Sequence, residues 1–146
     1  MKYPIGIQDF EKIITGGYVY VDKTALIHQL VTEGNIYFLS RPRRFGKSLL
    51  VSTLEAYFKG KKDLFKGLAI DGLETEWAEY PVFHLSFGGE NFIEQGALES
   101  KIATALNNWE ELYGKTSVAT TFGGRFLHTL QAAHQKTGKR AVVNEK

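Results

Sequence analysis

The chain has 146 residues, of which 43% are hydrophobic, which is enough for one domain with a packed core. Its formal net charge of +2 is small, so a preference for anions must come from how the charges are distributed. Cysteine is absent, which excludes disulfides and thiolate metal sites, and no apolar run indicates a membrane span or a secretory signal, so we expect a cytoplasmic protein.

The N-terminal part of the chain carries three predicted elements, each next to a capping aspartate or a glycine. They are a short helix over residues 10–15 capped by Asp9, a strand over 18–21, and a helix from Lys23 to about Glu33 capped by Asp22. The second helix ends at Gly34 and places four apolar residues on one face: Leu26, Ile27, Leu30 and Val31.

The middle of the chain predicts a strand, a loop and a helix in direct succession. The apolar run 36–39 is typical of a buried parallel strand, and the loop 40–46 follows it. Beyond the loop, apolar residues recur with the spacing i, i+4, i+8 at Leu50, Leu54 and Phe58. This period predicts a helix over 47–58 that lies against a core.

Two further strands and two further helices are predicted after residue 80. They are a strand over 81–87, a helix from after Gly89 to about Tyr113, a helix over 121–136 that stops at Gly138, and a strand over 140–143. Strands that alternate with helices predict an α/β fold with a parallel sheet, and we expect a single domain over 1–146. The last strand is so short that we expect the natural protein to continue beyond it.

The loop before the third helix reads R-P-R-R-F-G-K-S over residues 41–48. A P-loop has the pattern G-x-x-x-x-G-K-[ST] between a strand and a helix, where backbone N–H groups, the lysine and the hydroxyl hold phosphates and Mg²⁺. Gly46, Lys47 and Ser48 match this pattern in order and spacing, but Arg41 replaces the first glycine and Pro42 stiffens the turn.

Three interpretations of this basic loop stay open on residue chemistry alone. The loop could bind phosphates, bind nucleic acid or another polyanion, or be a solvated turn. The polyanion patch would combine Arg41, Arg43, Arg44 and Lys47 with the lysines of 59–66. A Gly-Lys-Ser tripeptide alone is a weak signal, and the strand before it and the helix after it favour the phosphate cradle.

Three stretches carry a family resemblance: YPIGIQDFEKIITGGYVYVDKTALIHQL, YFLSRPRRFGKSLLVSTLEAYFKGKKDLFKGLAI and YPVFHLSF. They closely resemble the AAA-ATPase-like domain of bacterial proteins that often carry a PD-(D/E)XK nuclease-like domain downstream. The resemblance covers about residues 3–143, and its arginine-rich loop is typical of that family. It implies a P-loop NTPase fold, here an N-terminal portion without the later strands, that binds ATP with Mg²⁺.

The resemblance also implies which residues bind the nucleotide. Six positions are assigned to the phosphates and Mg²⁺: Gly46, Lys47 and Ser48, with the backbone of Arg44, Phe45 and Leu49. Lys47 is the catalytic lysine and Ser48 the metal ligand. The segment around Ile5, Ile7 and Phe10 is assigned to the adenine, with a hydrophobic staple on the first helix as an equal alternative.

The sequence departs from the family at the acidic Walker B pair that normally follows the third strand. Here Asn144 and Glu145 stand near the end of the chain, and Asn144 would bring no charge to a metal. The resemblance therefore implies an ATPase fold, while the missing pair predicts binding with turnover near background. Without the later strands the sheet would keep an unfilled edge, which predicts a homodimer as a further partner.

Four other features of the sequence have mainly structural interpretations. The spacing of His28, His84, His128 and His134 does not indicate a metal site. Trp77 and Trp109 are assigned to packing. Asp22 is a helix cap that, in a second interpretation, orders the arginines of the loop through a hydrogen bond. The lysine-rich stretch 58–66 is more typical of a solvated face than of a polyanion site.

Overall fold

The computed structural model describes residues 1–34, 46–85, 96–115 and 120–145. Within these ranges five α-helices and two strands are present. The helices are α1 (Phe10–Thr15), α2 (Thr24–Glu33), α3 (Lys47–Phe58), α4 (Ala97–Tyr113) and α5 (Phe122–Thr137), and the strands are β1 (Val82–Leu85) and β2 (Val142–Glu145). The chain divides into two compact units, Met1–Glu79 and Tyr80–Lys146. The single-domain expectation stays a prediction.

The helices of the first unit confirm most of the sequence-based expectations. The Asp9 carboxylate accepts from the Lys12 N–H at 2.9 Å, which caps α1 as predicted. Helix α2 begins at Thr24, one residue later than predicted, and α3 has the predicted bounds. None of the helices within the described ranges has the length and apolar composition needed to cross a bilayer.

The predicted strand over 18–21 was wrong. These residues have no regular secondary structure, and within the described ranges no strand pairs with them. The Val19 N–H donates instead to the Lys2 carbonyl at 2.8 Å. Strand-like composition alone does not form a strand, because the hydrogen bonds of a sheet need a second strand. The predicted strand 36–39 lies outside the described residues.

The core of the first unit forms where α1 crosses α3. Phe10 is fully buried and its ring contacts those of Tyr20 and Phe65 at centroid distances of 5.2 and 4.8 Å. The Phe10 N–H, which no carbonyl of α1 can satisfy, donates to the Ser52 hydroxyl of α3 at 2.9 Å. Trp77 packs against this cluster, which confirms its assignment to the core.

The predicted apolar row of α3 packs against the core, as expected, and the predicted face of α2 does so in part. In α3 the buried residues are Thr53, Ala56 and Tyr57, while the predicted apolar row is half-buried beside them. In α2, Ile27 is buried as predicted but Leu26 is 62% exposed. The helical period was correct, but it does not specify how far the edge of an apolar face, here Leu26, is covered.

Asp22 and Thr24 connect the start of α2 through hydrogen bonds to a 3₁₀ helix, Ala69–Gly72. The Asp22 carboxylate accepts from the Thr24 N–H and hydroxyl and from the Ala69 N–H, at 2.9, 2.6 and 2.7 Å. The fully buried Thr24 hydroxyl accepts from the Ile70 N–H at 3.0 Å. Burial raises the pKa of Asp22, but these hydrogen bonds outweigh it and lower the pKa below its usual value. The ionised carboxylate therefore stabilises the fold at neutral pH, and this contribution is lost as the pH falls through the lowered pKa.

In the second unit, β1 and β2 form a parallel pair in which Val82 lies opposite Val142 and Leu85 opposite Glu145. The mixture of helices with a parallel strand pair is compatible with the predicted α/β class. Strand β2 begins and ends two residues later than predicted, so Asn144 and Glu145 lie within the strand and not beyond it. Strand β1 falls inside the predicted run, whose last two residues, 86–87, lie outside the described residues.

Helices α4 and α5 pack against β1 through aromatic side chains. Phe83 is fully buried, and its ring lies 5.1 Å from Trp109 and 6.2 Å from Phe126. This confirms Trp109 as a packing residue. Helix α5 ends at Gly138 as predicted. Helix α4 begins only after Gly96, later than predicted; 90–95 of the predicted span lie outside the described residues.

A buried ion pair joins α4 to α5. The Arg125 Nε donates to the Glu110 carboxylate at 2.8 Å, and its Nη2 donates to the Asn107 side-chain oxygen at 2.9 Å. The Glu110 side chain is only 5% exposed. The carboxylate has lost most of its water, so the guanidinium is needed to compensate its charge.

Candidate functional site

Helix α3 begins at Gly46, whose backbone is in the left-handed region with φ 82° and ψ 10°. The first bond of the helix runs from the Leu50 N–H to the Gly46 carbonyl at 2.9 Å. The N–H groups of Lys47, Ser48 and Leu49 therefore have no acceptor within the helix, and Gly46 has no side chain to cap them. These three donors lie at the positive end of the helix dipole.

Among the described residues, Gly46 has open space where a side chain would begin. A Cβ placed on Gly46 would meet no heavy atom within 4 Å. Lys47 and Ser48 are half-buried on the first turn. An ammonium, a hydroxyl and backbone donors without an acceptor in the helix are the groups that bind a phosphate chain with its Mg²⁺.

The structure thus describes four of the six predicted phosphate-binding positions: Gly46, Lys47, Ser48 and Leu49. Arg44 and Phe45 lie outside the described residues, as do Arg41 and Arg43. The hypothesis that Asp22 orders these arginines therefore also falls outside the described part of the chain. Both oxygens of the Asp22 carboxylate already accept hydrogen bonds from Thr24 or Ala69.

A groove adjoins the helix start, with a volume of about 390 Å³. We call it the apolar groove, because most of the described residues that line it are aliphatic. They include Pro4, Val21, Leu26, Leu30, Leu49 and Leu50, and Gly46 also lines it. It lies between α2, the first half of α3 and the extended residues before α2.

The resemblance-based assignment of Phe10 to the adenine was wrong. The Phe10 ring is fully buried between Tyr20 and Phe65, so it has no free face on which a base could stack. Ile5 is 91% exposed and Ile7 is half-buried. Gly46 lines the apolar groove, whereas Phe10 is not among the described residues that line it.

The lysine-rich stretch is partly neutralised by acidic side chains. Lys59 pairs with Glu55 at 2.6 Å, and Lys61 pairs with Glu11 at 2.7 Å. Lys62 and Lys66 are exposed. Pairing reduces the charge that two of the four lysines could offer to a polyanion, as expected for a solvated face.

The residues considered for metal binding are dispersed over the structure. Asn144 lies in β2 in register with His84 of β1, and it brings no charge. His28 lies 3.9 Å from the Glu74 carboxylate, and the His134 ring nitrogen bonds to the Lys139 carbonyl. In the parts of the chain that the structure describes, His, Asp and Glu side chains do not form a group of three able to hold a metal ion.

These features define a mixed helix and strand protein with a glycine-capped Gly-Lys-Ser helix start. The chain belongs to the family described as Predicted AAA-ATPase, whose model matches residues 4–144. It is 44% identical over 144 residues to a protein of Azotobacter chroococcum mcd 1 named "Uncharacterized protein in vnfD 5'region". The alignment covers 97% of this chain but only 28% of the relative's length. No solved structure matches the chain at a significant level.

Sequence reasoning missed two functional or structural features of the first unit. The first is the apolar groove, whose walls come from segments far apart in sequence. The second is the attachment of Asp22 and Thr24 to residues 69 and 70, which gives the Asp-Lys-Thr stretch at the start of α2 a structural role. An aspartate two residues before a threonine at a helix start was the available signal.

Proposed function

We propose that this chain is a P-loop module that binds ATP or another nucleoside triphosphate. The proposal rests on one observation: in a member of the Predicted AAA-ATPase family, a left-handed glycine directly precedes a helix that starts with Lys-Ser. Gly46, in the left-handed region, precedes a first turn whose N–H groups have no acceptor within the helix. Such a helix start favours a negatively charged phosphate.

In this proposal each residue of the helix start has a distinct role. The backbone N–H groups of Lys47, Ser48 and Leu49 donate to phosphate oxygens, and the Lys47 ammonium neutralises the terminal phosphates. The Ser48 hydroxyl would hold Mg²⁺, which compensates phosphate charge when it is bound. Arg44 and Phe45 remain proposed contributors through their backbone.

We propose binding without efficient hydrolysis for this chain. Hydrolysis needs a carboxylate that orders the Mg²⁺ shell and a second group that activates water. Asn144 is neutral, so it cannot supply the first of these. Steady phosphate release that Glu145→Gln abolishes would contradict this part of the proposal.

The alternative function is a nucleic-acid module that uses the basic loop and the lysines of 59–66. The pairing of Lys59 and Lys61 with acidic side chains speaks against it. Because the chain spans only 28% of the length of its relative, the activity and partners of a whole protein, including a nuclease-like domain, are also proposals.

The role of Gly46 is tested by a matched pair of glycine variants. Gly46 and Gly96 both precede a helix with a positive φ, at 82° and 83°, and both have open space around the Cβ position. Alanine should therefore destabilise both variants by a similar amount, about 1 kcal/mol. We expect Gly46→Ala to weaken Mg²⁺-ATP binding about tenfold or more in isothermal titration calorimetry, since the phosphate-facing backbone is displaced.

Gly96→Ala is the control and should bind Mg²⁺-ATP as the wild type does. Urea denaturation of both variants checks that their losses of stability are similar. Equal affinities for the two variants would show that the start of α3 does not contact the nucleotide.

A further inference from the structure

Residues 74–79 are the last residues of the first unit, and they form neither a helix nor a strand. We call them the 74–79 segment. Two side chains hold this segment to the rest of the unit. The Glu74 carboxylate accepts from the Tyr57 hydroxyl of α3 at 2.5 Å. The Trp77 ring packs against the rings of Tyr57 and Phe65, at centroid distances of 5.9 and 5.2 Å.

The packed position of Trp77 carries two energetic costs. Its backbone φ is 46°, and among the described residues it is the only one other than glycine with a positive φ. A residue with a Cβ is strained in this region. The indole N–H is buried and has no hydrogen-bond acceptor in the described part of the chain, so its lost hydration is not compensated. Both costs are relieved when the segment leaves α3, because the backbone relaxes and the indole meets water.

The segment also lies in close contact with a glycine. Gly60 follows α3 with a φ of 70°, and a Cβ built on it would lie 3.1 Å from the Trp77 carbonyl oxygen and 3.6 Å from the Ala78 carbonyl oxygen. A methyl group at this place would require the backbone of the segment to shift. The packed arrangement therefore depends on glycine at position 60.

We propose that the 74–79 segment opens and closes against α3 while the rest of the first unit stays folded. The Glu74 carboxylate and the Trp77 ring hold the closed state, and the strain at Trp77 lowers the free energy needed to open it. Tyr80 begins the second unit, so opening lengthens the free chain that connects the two units. Six residues of extended chain span at most about 20 Å, and the segment thus adjusts the length of this connection.

The first experiment follows hydrogen exchange in the wild-type chain by nuclear magnetic resonance. The reporters are the Trp77 indole N–H and the N–H groups of Thr75 and Glu76, which donate to the Glu74 carboxylate at 3.1 and 3.0 Å. We expect the three reporters to share one opening constant, at least about a hundredfold larger than that of the amides in the middle of α3.

Two results of this experiment would overturn the inference. An opening constant equal to that of α3 would mean that the segment is released only when the unit unfolds. Unrelated constants at the three reporters would mean that each group fluctuates separately and that the segment does not open as one element.

The second experiment uses a matched pair of glycine variants at Gly60 and Gly17. These residues end α3 and α1 in the same way: each glycine N–H donates three residues back, and the N–H after it donates five residues back. Their φ values are 70° and 67°, so alanine strains both by a similar amount. A Cβ on Gly17, in contrast to Gly60, would meet no heavy atom within 4 Å.

We expect the opening constant of the 74–79 segment to be about tenfold larger in Gly60→Ala than in Gly17→Ala, because the added methyl group displaces the Trp77 carbonyl. Urea denaturation should show similar losses of global stability in the two variants. Equal opening of the segment in both variants would overturn the closed state, since the contact at Gly60 would then not hold the segment.

Discussion

Replacing Lys47 with alanine is expected to weaken Mg²⁺-ATP binding about a hundredfold. Lys47 is the first residue of α3, on the turn whose backbone donors have no acceptor within the helix. A charge-assisted hydrogen bond between an ammonium and a phosphate contributes up to about 3 kcal/mol, which corresponds to roughly this factor. Calorimetric titration of the variant and the wild type measures the change directly.

Lys62→Ala is the matched control for this experiment. Lys62 is an exposed lysine in the 3₁₀ turn Lys62–Phe65, and its removal changes the net charge by the same amount. We expect its ATP affinity to equal that of the wild type. If both variants lost a similar few-fold affinity for ATP and for DNA, the lysines would act as interchangeable cations, and the nucleic-acid alternative would replace the nucleotide site.

Replacing Glu110 with alanine is expected to destabilise the second unit by about 3 kcal/mol. The substitution leaves the Arg125 guanidinium, whose side chain is only 17% exposed, without its carboxylate. An uncompensated buried charge costs more than the ion pair itself contributes. Urea denaturation followed by circular dichroism gives the free energy of unfolding of the variant.

Glu111→Ala is the control, because Glu111 is the next residue of α4 and is exposed. Its effect should stay within about 0.5 kcal/mol. The double variant Glu110→Leu with Arg125→Met removes both charges and should recover much of the lost stability. Equal losses for Glu110→Ala and Glu111→Ala would mean that the pair does not hold α4 to α5.

The elements that the sequence predicted best are those with local signals at their ends. Asp9 at the start of α1, Gly46 at the start of α3 and Gly138 at the end of α5 mark boundaries that the structure confirms. Capping depends on residues within one turn of the helix end, so a single sequence is sufficient to detect it.

The errors arose where structure depends on distant partners. The 18–21 stretch has strand composition but no paired strand within the described ranges, and β2 is shifted by two residues to match the register of β1. The sequence left an adenine contact and a hydrophobic staple open for the segment around Phe10, and the ring contacts of Phe10 with Tyr20 and Phe65 place it in the core. The apolar groove likewise exists only in the folded chain, because its walls come from α2, α3 and the residues before α2.

The candidate site was predicted in part because its chemistry is local. Gly46, Lys47 and Ser48 are consecutive, and the helix that presents them could be recognised from its apolar period. Neither the sequence pattern nor the geometry of the helix identifies the ligand that these residues bind. Their role in binding a nucleotide is therefore a proposal that rests on the helix start and on family membership.

The most direct test is to map the nucleotide onto the backbone by nuclear magnetic resonance. Mg²⁺-ATP is titrated into ¹⁵N-labelled chain, and the amide shift of each residue is followed. We expect the largest saturable changes at Gly46, Lys47, Ser48 and Leu49, since their N–H groups would contact phosphate oxygens. Largest changes at the lysines of 59–66, with the start of α3 unmoved, would contradict the nucleotide site.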